Sequence, residues 1–228
     1  MTISPNSFAD NALASEDDVE LVARRLEDIR ARLAGRDVAI VAVTKTYGDR
    51  AISAALAAGV SGLGENYASE LALKAERWPD APWHFIGNLQ SRQIAAVASA
   101  ARVISGVSRL KEIERLAAVG FSGVIDVQVE LAGMPQRHGA PAEEIPQLCR
   151  AAEEHGLQVR GLMTVADPAD PESAFRATRA LADSLGLPGC SMGMSDDFEI
   201  AVACGATEIR VGSLLFGRRN PRHAGDLT

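Results

Sequence analysis

The chain has 228 residues, 47% hydrophobic and 23% charged, which is the composition of an ordinary globular protein. That length suits one large domain or two small ones, and it approaches the roughly 250 residues of a single α/β barrel. A formal net charge of -7 with no long basic block argues against nucleic acid as the main partner. No stretch approaches the ~20 apolar residues that a membrane span needs.

The start, Met1 to Asp17, is polar and lacks the basic lead and apolar core of a secretory signal. It is expected to be a flexible lead-in, with one domain running over 18–228. The cysteines Cys149, Cys190 and Cys204 are odd in number and form no CxxC pair. They read as small buried hydrophobes in a reducing, cytoplasmic setting.

Ser15 before Glu16-Asp17-Asp18 has the pattern of a helix N-cap with an acidic first turn. Leu21, Val22, Leu26, Ile29 and Leu33 continue at helical spacing, and Gly35 is expected to end that helix. Strand-like runs then alternate with helix-like segments. The strands are expected at Ala39–Val43, Val60–Gly64, Trp83–Ile86, Arg102–Ser105, Gly123–Val129, Gln158–Leu162, Gly189–Met192 and Glu208–Val211. The helices are expected at Arg50–Ala58, Ala68–Arg77, Arg92–Ala100, Leu110–Ala118, Ala142–His155, Pro171–Leu185 and Asp196–Ala203. This alternation predicts a single (β/α)8 TIM barrel with an extra N-terminal helix. An open doubly wound sheet is the alternative, but no GxGxxG follows the first strand to support a dinucleotide site.

Residues with chemical potential gather at the carboxyl ends of these strands, where α/β folds keep their sites. Lys45 follows the apolar run Val38–Val43 directly, in Thr44-Lys45-Thr46. An ammonium there is poorly hydrated, which favours the free amine, and a free amine condenses with aldehydes. Gly64-Glu65-Asn66-Tyr67 ends the second strand. Asn66 reads equally as a helix N-cap or a ligand contact, and Glu65 more as a holder of a helix end or an arginine than as a base. His84, between Trp83 and Phe85, is more often an interior histidine than an acid or base.

The seventh strand ends in Ser191-Met192-Gly193-Met194-Ser195-Asp196-Asp197. Its hydroxyls and backbone suit an anion, with plain helix capping by Ser195 as the other reading. The eighth runs through Arg210 into Gly212-Ser213. Barrels often bind phosphate with the loops after strands seven and eight. Alternation puts Arg210 and Gly212 on one side of the strand, and a buried arginine needs a partner, either a cofactor ring or an acidic neighbour. An amine for an aldehyde opposite a phosphate site points to pyridoxal 5'-phosphate (PLP).

Six motifs in order carry a family resemblance: Val43-Thr44-Lys45-Thr46; Gly64-Glu65-Asn66-Tyr67; Trp83–Gly87 with Leu89-Gln90-Ser91; Gly161-Leu162-Met163; Ser191–Ser195; and Arg210–Ser213 with Phe216-Gly217-Arg218. From about Leu21 to Arg219 the chain resembles the pyridoxal phosphate homeostasis proteins, the YggS or PLP-binding protein family. The resemblance implies a barrel like the N-terminal domain of alanine racemase, with PLP held on Lys45 as an internal aldimine. It implies Arg210 at the pyridine nitrogen, which weakens the electron sink. It implies Ser191, Gly212 and Ser213 at the phosphate and Asn66 near the cofactor. With His84, Met163 and Ser195, these residues make up the expected cofactor site. The chain departs from the family at Arg137-His138-Gly139, where relatives often carry Lys-x-Gly, and along Asp126–Glu130, where many have asparagine. Arginine cannot form a Schiff base, so transfer through a second lysine there is not expected.

The expected function is binding and supply of PLP without turnover, by a monomer that hands PLP to apo-enzymes. A stand-alone PLP-dependent amino-acid racemase is the alternative, and a lysine-dependent aldolase without PLP ranks last. A racemase of this fold is expected to carry a further domain that supplies a tyrosine acid/base and closes the site, whereas the tyrosines of this sequence, Tyr47 and Tyr67, both lie early. No metal site is expected.

Overall fold

The computed structural model describes residues 12–131 and 138–217. The chain enters through helix α1 (Glu16–Ala31), capped as the sequence predicts. The Ser15 hydroxyl accepts from the Asp18 amide at 3.2 Å, and Asp18 accepts from the Ser15 amide at 2.8 Å. Asp18 also takes Arg50 of α2 (Asp49–Ala58) in a two-pronged ion pair, so the cap fastens α1 to the barrel. Arg50 holds the Asp18 carboxyl at about 2. The helix ends at Ala31, earlier than expected; Ala34 and Gly35, both left-handed, finish the turn into the first strand. The lead-in expected over 1–17 lies outside the described residues as far as 11, and from Ser15 onward it belongs to α1.

Eight parallel strands follow: β1 (Ala39–Val43), β2 (Gly62–Glu65), β3 (Trp83–Phe85), β4 (Val103–Val107), β5 (Val124–Glu130), β6 (Gln158–Met163), β7 (Gly189–Ser191) and β8 (Glu208–Val211). Each pairs with its sequence neighbour, β1 pairs with β8, and β4 with β5, so the sheet closes. The other helices are α3 (Ala68–Arg77), α4 (Ile94–Ala100), α5 (Leu110–Ala118), α6 (Ile145–Glu154), α7 (Pro171–Ser184), α8 (Phe198–Ala203) and α9 (Ser213–Phe216). This is the expected (β/α)8 barrel, and the open sheet is excluded.

Differences from expectation are local. β4 runs on to Val107 because Val107 pairs with Val127 across an irregularity. A two-residue strand, Ala140–Pro141, lies along the end of β5. The expected helix 142–155 opens as a 3-10 turn, Ala142–Glu144, and becomes α-helical with Pro146 in its first turn, where the missing N–H costs nothing.

Alternation along each strand separates two environments. Ile40, Ala42, Leu63, Trp83, Phe85, Ile125, Val127, Ile209 and Val211 point to the helices and form the continuous apolar core. The other face points into the barrel and is unusually polar. Ser105 donates to Asp126, Asp126 pairs with Arg160, and Arg160 reaches Glu208 at 2.7 Å. Branched aliphatics usually fill this space. Here Asp126, Arg160 and Glu208 each meet an opposite charge, the condition for tolerating charge in a barrel interior. The three cysteines are free and buried, as expected, and burial pushes the Cys149 and Cys190 thiols up to about 11.

Candidate functional site

Loops at the carboxyl ends of the strands enclose a cavity of about 560 Å³. β1 contributes Val43 and the turn after it Lys45. The loops after β2 and β3 contribute Asn66 and Ile86. Met163 comes from β6 and Val165 from the loop after it, Met194, Ser195 and Asp196 from the β7 loop, Arg210 from β8, and Gly212 and Ser213 from the turn into α9. The cavity therefore brings together the expected residues Lys45, Asn66, Met163, Ser195, Arg210, Gly212 and Ser213. Arg210 and Gly212 share a face, as strand alternation requires.

Asn66 is not a helix cap. Helix α3 begins at Ala68 with Tyr67 at the N-cap, so Asn66 turns to the cavity instead. Ser195 likewise does not cap α8. Asp197 occupies that N-cap and accepts from the Met194 amide at 2.6 Å, which leaves Ser195 on the cavity wall.

Arg210 is 4% exposed, and its guanidinium is held from below. Nη1 donates to the Ser191 hydroxyl at 2.7 Å and Nη2 to the Thr164 carbonyl at 2.8 Å. Ser191 donates in turn to Glu208 at 2.6 Å. Of the two roles read from the sequence for a buried arginine, the acidic partner is present, but through a serine. Burial pushes the Arg210 pKa down, while Glu208 opposes it. The Glu208 carboxyl is held below its ordinary value by Arg160 and His84, against the effect of its own burial.

Ser191 and His84 do not line the cavity. Ser191 spends its hydroxyl on the Arg210–Glu208 link rather than on the cavity. His84 is buried beneath, with Nδ1 3.6 Å from Glu208. Its ring leans on Gly62 at the start of β2, where a β-carbon would stand 2.7 Å from Nε2. Burial pushes the His84 pKa down more than Glu208 raises it, so the ring is neutral at neutral pH.

Sequence reasoning missed the apolar lining, Val43, Ile86, Val165 and Met194, since apolar residues at strand ends carry no chemical signal. It also missed the Asp126–Arg160–Glu208 chain. Charged residues at alternate positions of otherwise apolar strands were the available sign. Arg137, with Gly133 to Gln136, lies outside the described residues. Its neighbour His138 offers its carbonyl to Gln128 at 2.7 Å. Among the described residues no cluster of ligating side chains could hold a metal, and no helix is long and apolar enough to cross a membrane.

Comparison with known proteins agrees with this geometry. Residues 18–220 match the family model "Alanine racemase, N-terminal domain". A pyridoxal phosphate homeostasis protein of Pseudomonas aeruginosa is 37% identical over 90% of this chain and 95% of its own. PipY of Synechococcus elongatus, solved both without PLP and with PLP bound, is 34% identical. This chain covers all of PipY, with 86% of its own length aligned, at TM-scores of 0.76 and 0.75. Alanine racemase of Streptomyces lavendulae, 20% identical, shares the fold at a TM-score of 0.70 over 91% of this chain and 59% of its own. The chain belongs to the family of the alanine racemase N-terminal domain and, within it, to the pyridoxal phosphate homeostasis proteins.

Proposed function

We propose that this protein binds PLP in the cavity at the carboxyl end of its barrel and serves to hold and supply it. The observation that carries the reading is the convergence of a lysine, Lys45, an arginine, Arg210, and two serines, Ser195 and Ser213, on one cavity. Its volume lies within the roughly 300–1,000 Å³ of small-molecule sites. Val43, Ile86 and Met163 offer apolar surface for an aromatic ring, and the donors suit a phosphate. The donor set fits the cofactor that PipY holds.

PLP supplies an aldehyde, with which a lysine amine condenses with loss of water. Lys45 is the residue placed to provide that amine. Ser195, Gly212 and Ser213 would hold the phosphate, and Asn66 would flank the cofactor. Arg210 is a permanent donor and offers the ring nitrogen no proton acceptor, which suits holding over deprotonation chemistry. Arg210 itself is oriented by Ser191 and Thr164, and Ser191 ties it to Glu208 below.

Val165 and Met194, both on the cavity wall, are more than a third exposed, so the site opens to solvent. An open site favours exchange of a cofactor with recipient apo-enzymes over water-sensitive catalysis. We place this activity in the cytoplasm, carried by a monomer.

The test is the visible spectrum of purified protein given PLP, before and after borohydride, for wild type and Lys45→Ala. A band near ~420 nm, fixed by borohydride on the peptide that contains Lys45 and lost in Lys45→Ala, is the expected result. No band in wild type overturns the reading. Turnover of alanine or serine enantiomers that disappears in Lys45→Ala would replace the carrier with a racemase.

A further inference from the structure

Lys45 stands on a strained turn. Thr44 accepts from the Tyr47 amide at 2.9 Å, closing a β-turn over Thr44-Lys45-Thr46-Tyr47. Thr46, its third residue, has φ of 70°. A positive φ at that position alone is the mark of a type II turn, which ordinarily takes glycine there. A β-branched residue in the left-handed region is a genuine outlier, and such strain persists only where its surroundings hold it.

The surroundings here are three buried charged side chains behind the turn. Lys74 of α3 donates to the Thr44 carbonyl at 2.7 Å, to Glu65 at 2.7 Å and to Glu70 at 2.6 Å. The Glu70 oxygen that meets Lys74 also accepts from the Thr46 amide at 2.6 Å. The Thr44 hydroxyl donates to Glu65 at 2.6 Å. All three side chains are 2% exposed or less. The backbone groups on either side of Lys45 are thus both tied to one cluster that never reaches the cavity.

We infer that Glu70, Lys74 and Glu65 are positioning residues for Lys45, holding the strained turn so that its amine projects into the cavity. The inference rests on the PLP reading only for the identity of the aldehyde. Burying a second carboxyl group beside one ammonium costs more than a single ion pair would, and Glu65 and Glu70 each keep one oxygen without a hydrogen-bond partner among the described residues. A cluster whose only task was to fasten α3 to β2 would need neither the second carboxylate nor a bond to the Thr46 amide.

The test uses the full chain and two readouts. Without cofactor, the Lys45 amine is labelled with acetic anhydride across pH and resolved by mass spectrometry. With PLP, the rate of borohydride fixation on Lys45 is followed. Glu70→Ala, which leaves Thr46 without its acceptor, is expected to move the midpoint of Lys45 labelling by at least half a pH unit and to slow fixation at least tenfold. Glu70→Gln keeps an acceptor for Thr46 and is expected to recover most of that loss. If Glu70→Ala fails to fold, Glu70→Asp draws the carboxylate back by one methylene and is expected to show the same shifts in smaller degree. Folded variants with wild-type labelling and wild-type fixation overturn the inference while leaving the PLP reading intact. Altered labelling in a protein whose wild type fixes no PLP overturns that reading and keeps the inference.

Discussion

Ser191 stands between Arg210 and Glu208: it accepts from Arg210 Nη1 at 2.7 Å and donates to Glu208 Oε1 at 2.6 Å. A single hydroxyl thus links a buried guanidinium on the cavity wall to the polar column inside the barrel. Ser191→Ala removes both bonds and leaves two buried charges short of a partner. Losing hydrogen bonds to charged groups costs about 1.5–3 kcal/mol. We expect a loss of that size in denaturant unfolding, together with weaker PLP binding. Unchanged stability would show that Arg210 finds another acceptor and that the link carries no weight.

Glu65 gives the protein a pH signature. Burial raises its carboxyl from 4.5 to about 7, with Lys74 opposing. The folded state therefore holds this proton more tightly than the unfolded state. Its contribution to stability is complete below about 4.5 and is lost as pH rises through about 7. The slope approaches 1.4 kcal/mol per pH unit at most. Glu65→Gln mimics the protonated form at every pH, so its stability relative to wild type should rise between pH 4.5 and 7 and then level off. His84, pushed the other way by burial, slopes oppositely below its ordinary 6.5 in both proteins and drops out of the difference. A flat difference curve from chemical denaturation across that range would mean that Glu65 is ionised throughout.

The barrel was legible because its strands are short apolar runs separated by amphipathic helices, and β1 and β8 were placed to the residue. Lys45, Arg210 and Ser213 were legible because polar groups at the ends of such runs have few structural reasons to be there. Ser195 and Asn66 were ambiguous, since the same side chains make good helix caps; only the choice of Asp197 and Tyr67 as N-caps decides between the readings. The roles of Ser191 and His84 depend on which way each side chain leans along the barrel axis, and strand alternation cannot give that. Glu70 and Lys74 sit at i,i+4 on α3, a spacing that reads as a solvated surface pair. Nothing in the spacing says that the pair is buried against the turn of Lys45.

Gly87 sets the spacing of the two loops that bring Asn66 to the cavity. A β-carbon there would lie 2.0 Å from the Asn66 carbonyl oxygen, backbone against backbone. Gly87→Ala should therefore cost about 1–3 kcal/mol, the usual range for overpacking. It should also weaken PLP binding by pushing Asn66 off the wall, whereas Asn66→Ala should weaken binding with little change in stability. Thermal unfolding and a PLP titration of both variants separate the two effects. A Gly87→Ala protein that binds normally would show that Asn66 lies outside the cofactor's reach.

The hydroxyls of Ser195 and Ser213 should distinguish PLP from pyridoxal, which carries the same aldehyde and ring without the phosphate. Each donor to a charged group is worth about 1.5–3 kcal/mol, and tenfold in affinity is about 1.4 kcal/mol. Wild type should therefore favour PLP over pyridoxal by tenfold or more. Ser195→Ala and Ser213→Ala together should shrink that ratio by at least tenfold, chiefly by weakening PLP. Lys45 is untouched in the double variant, so borohydride fixation of pyridoxal should proceed as in wild type. A ratio unchanged in the double variant would move the phosphate away from the β7 and β8 loops and leave Lys45 as the anchor of a differently oriented ligand.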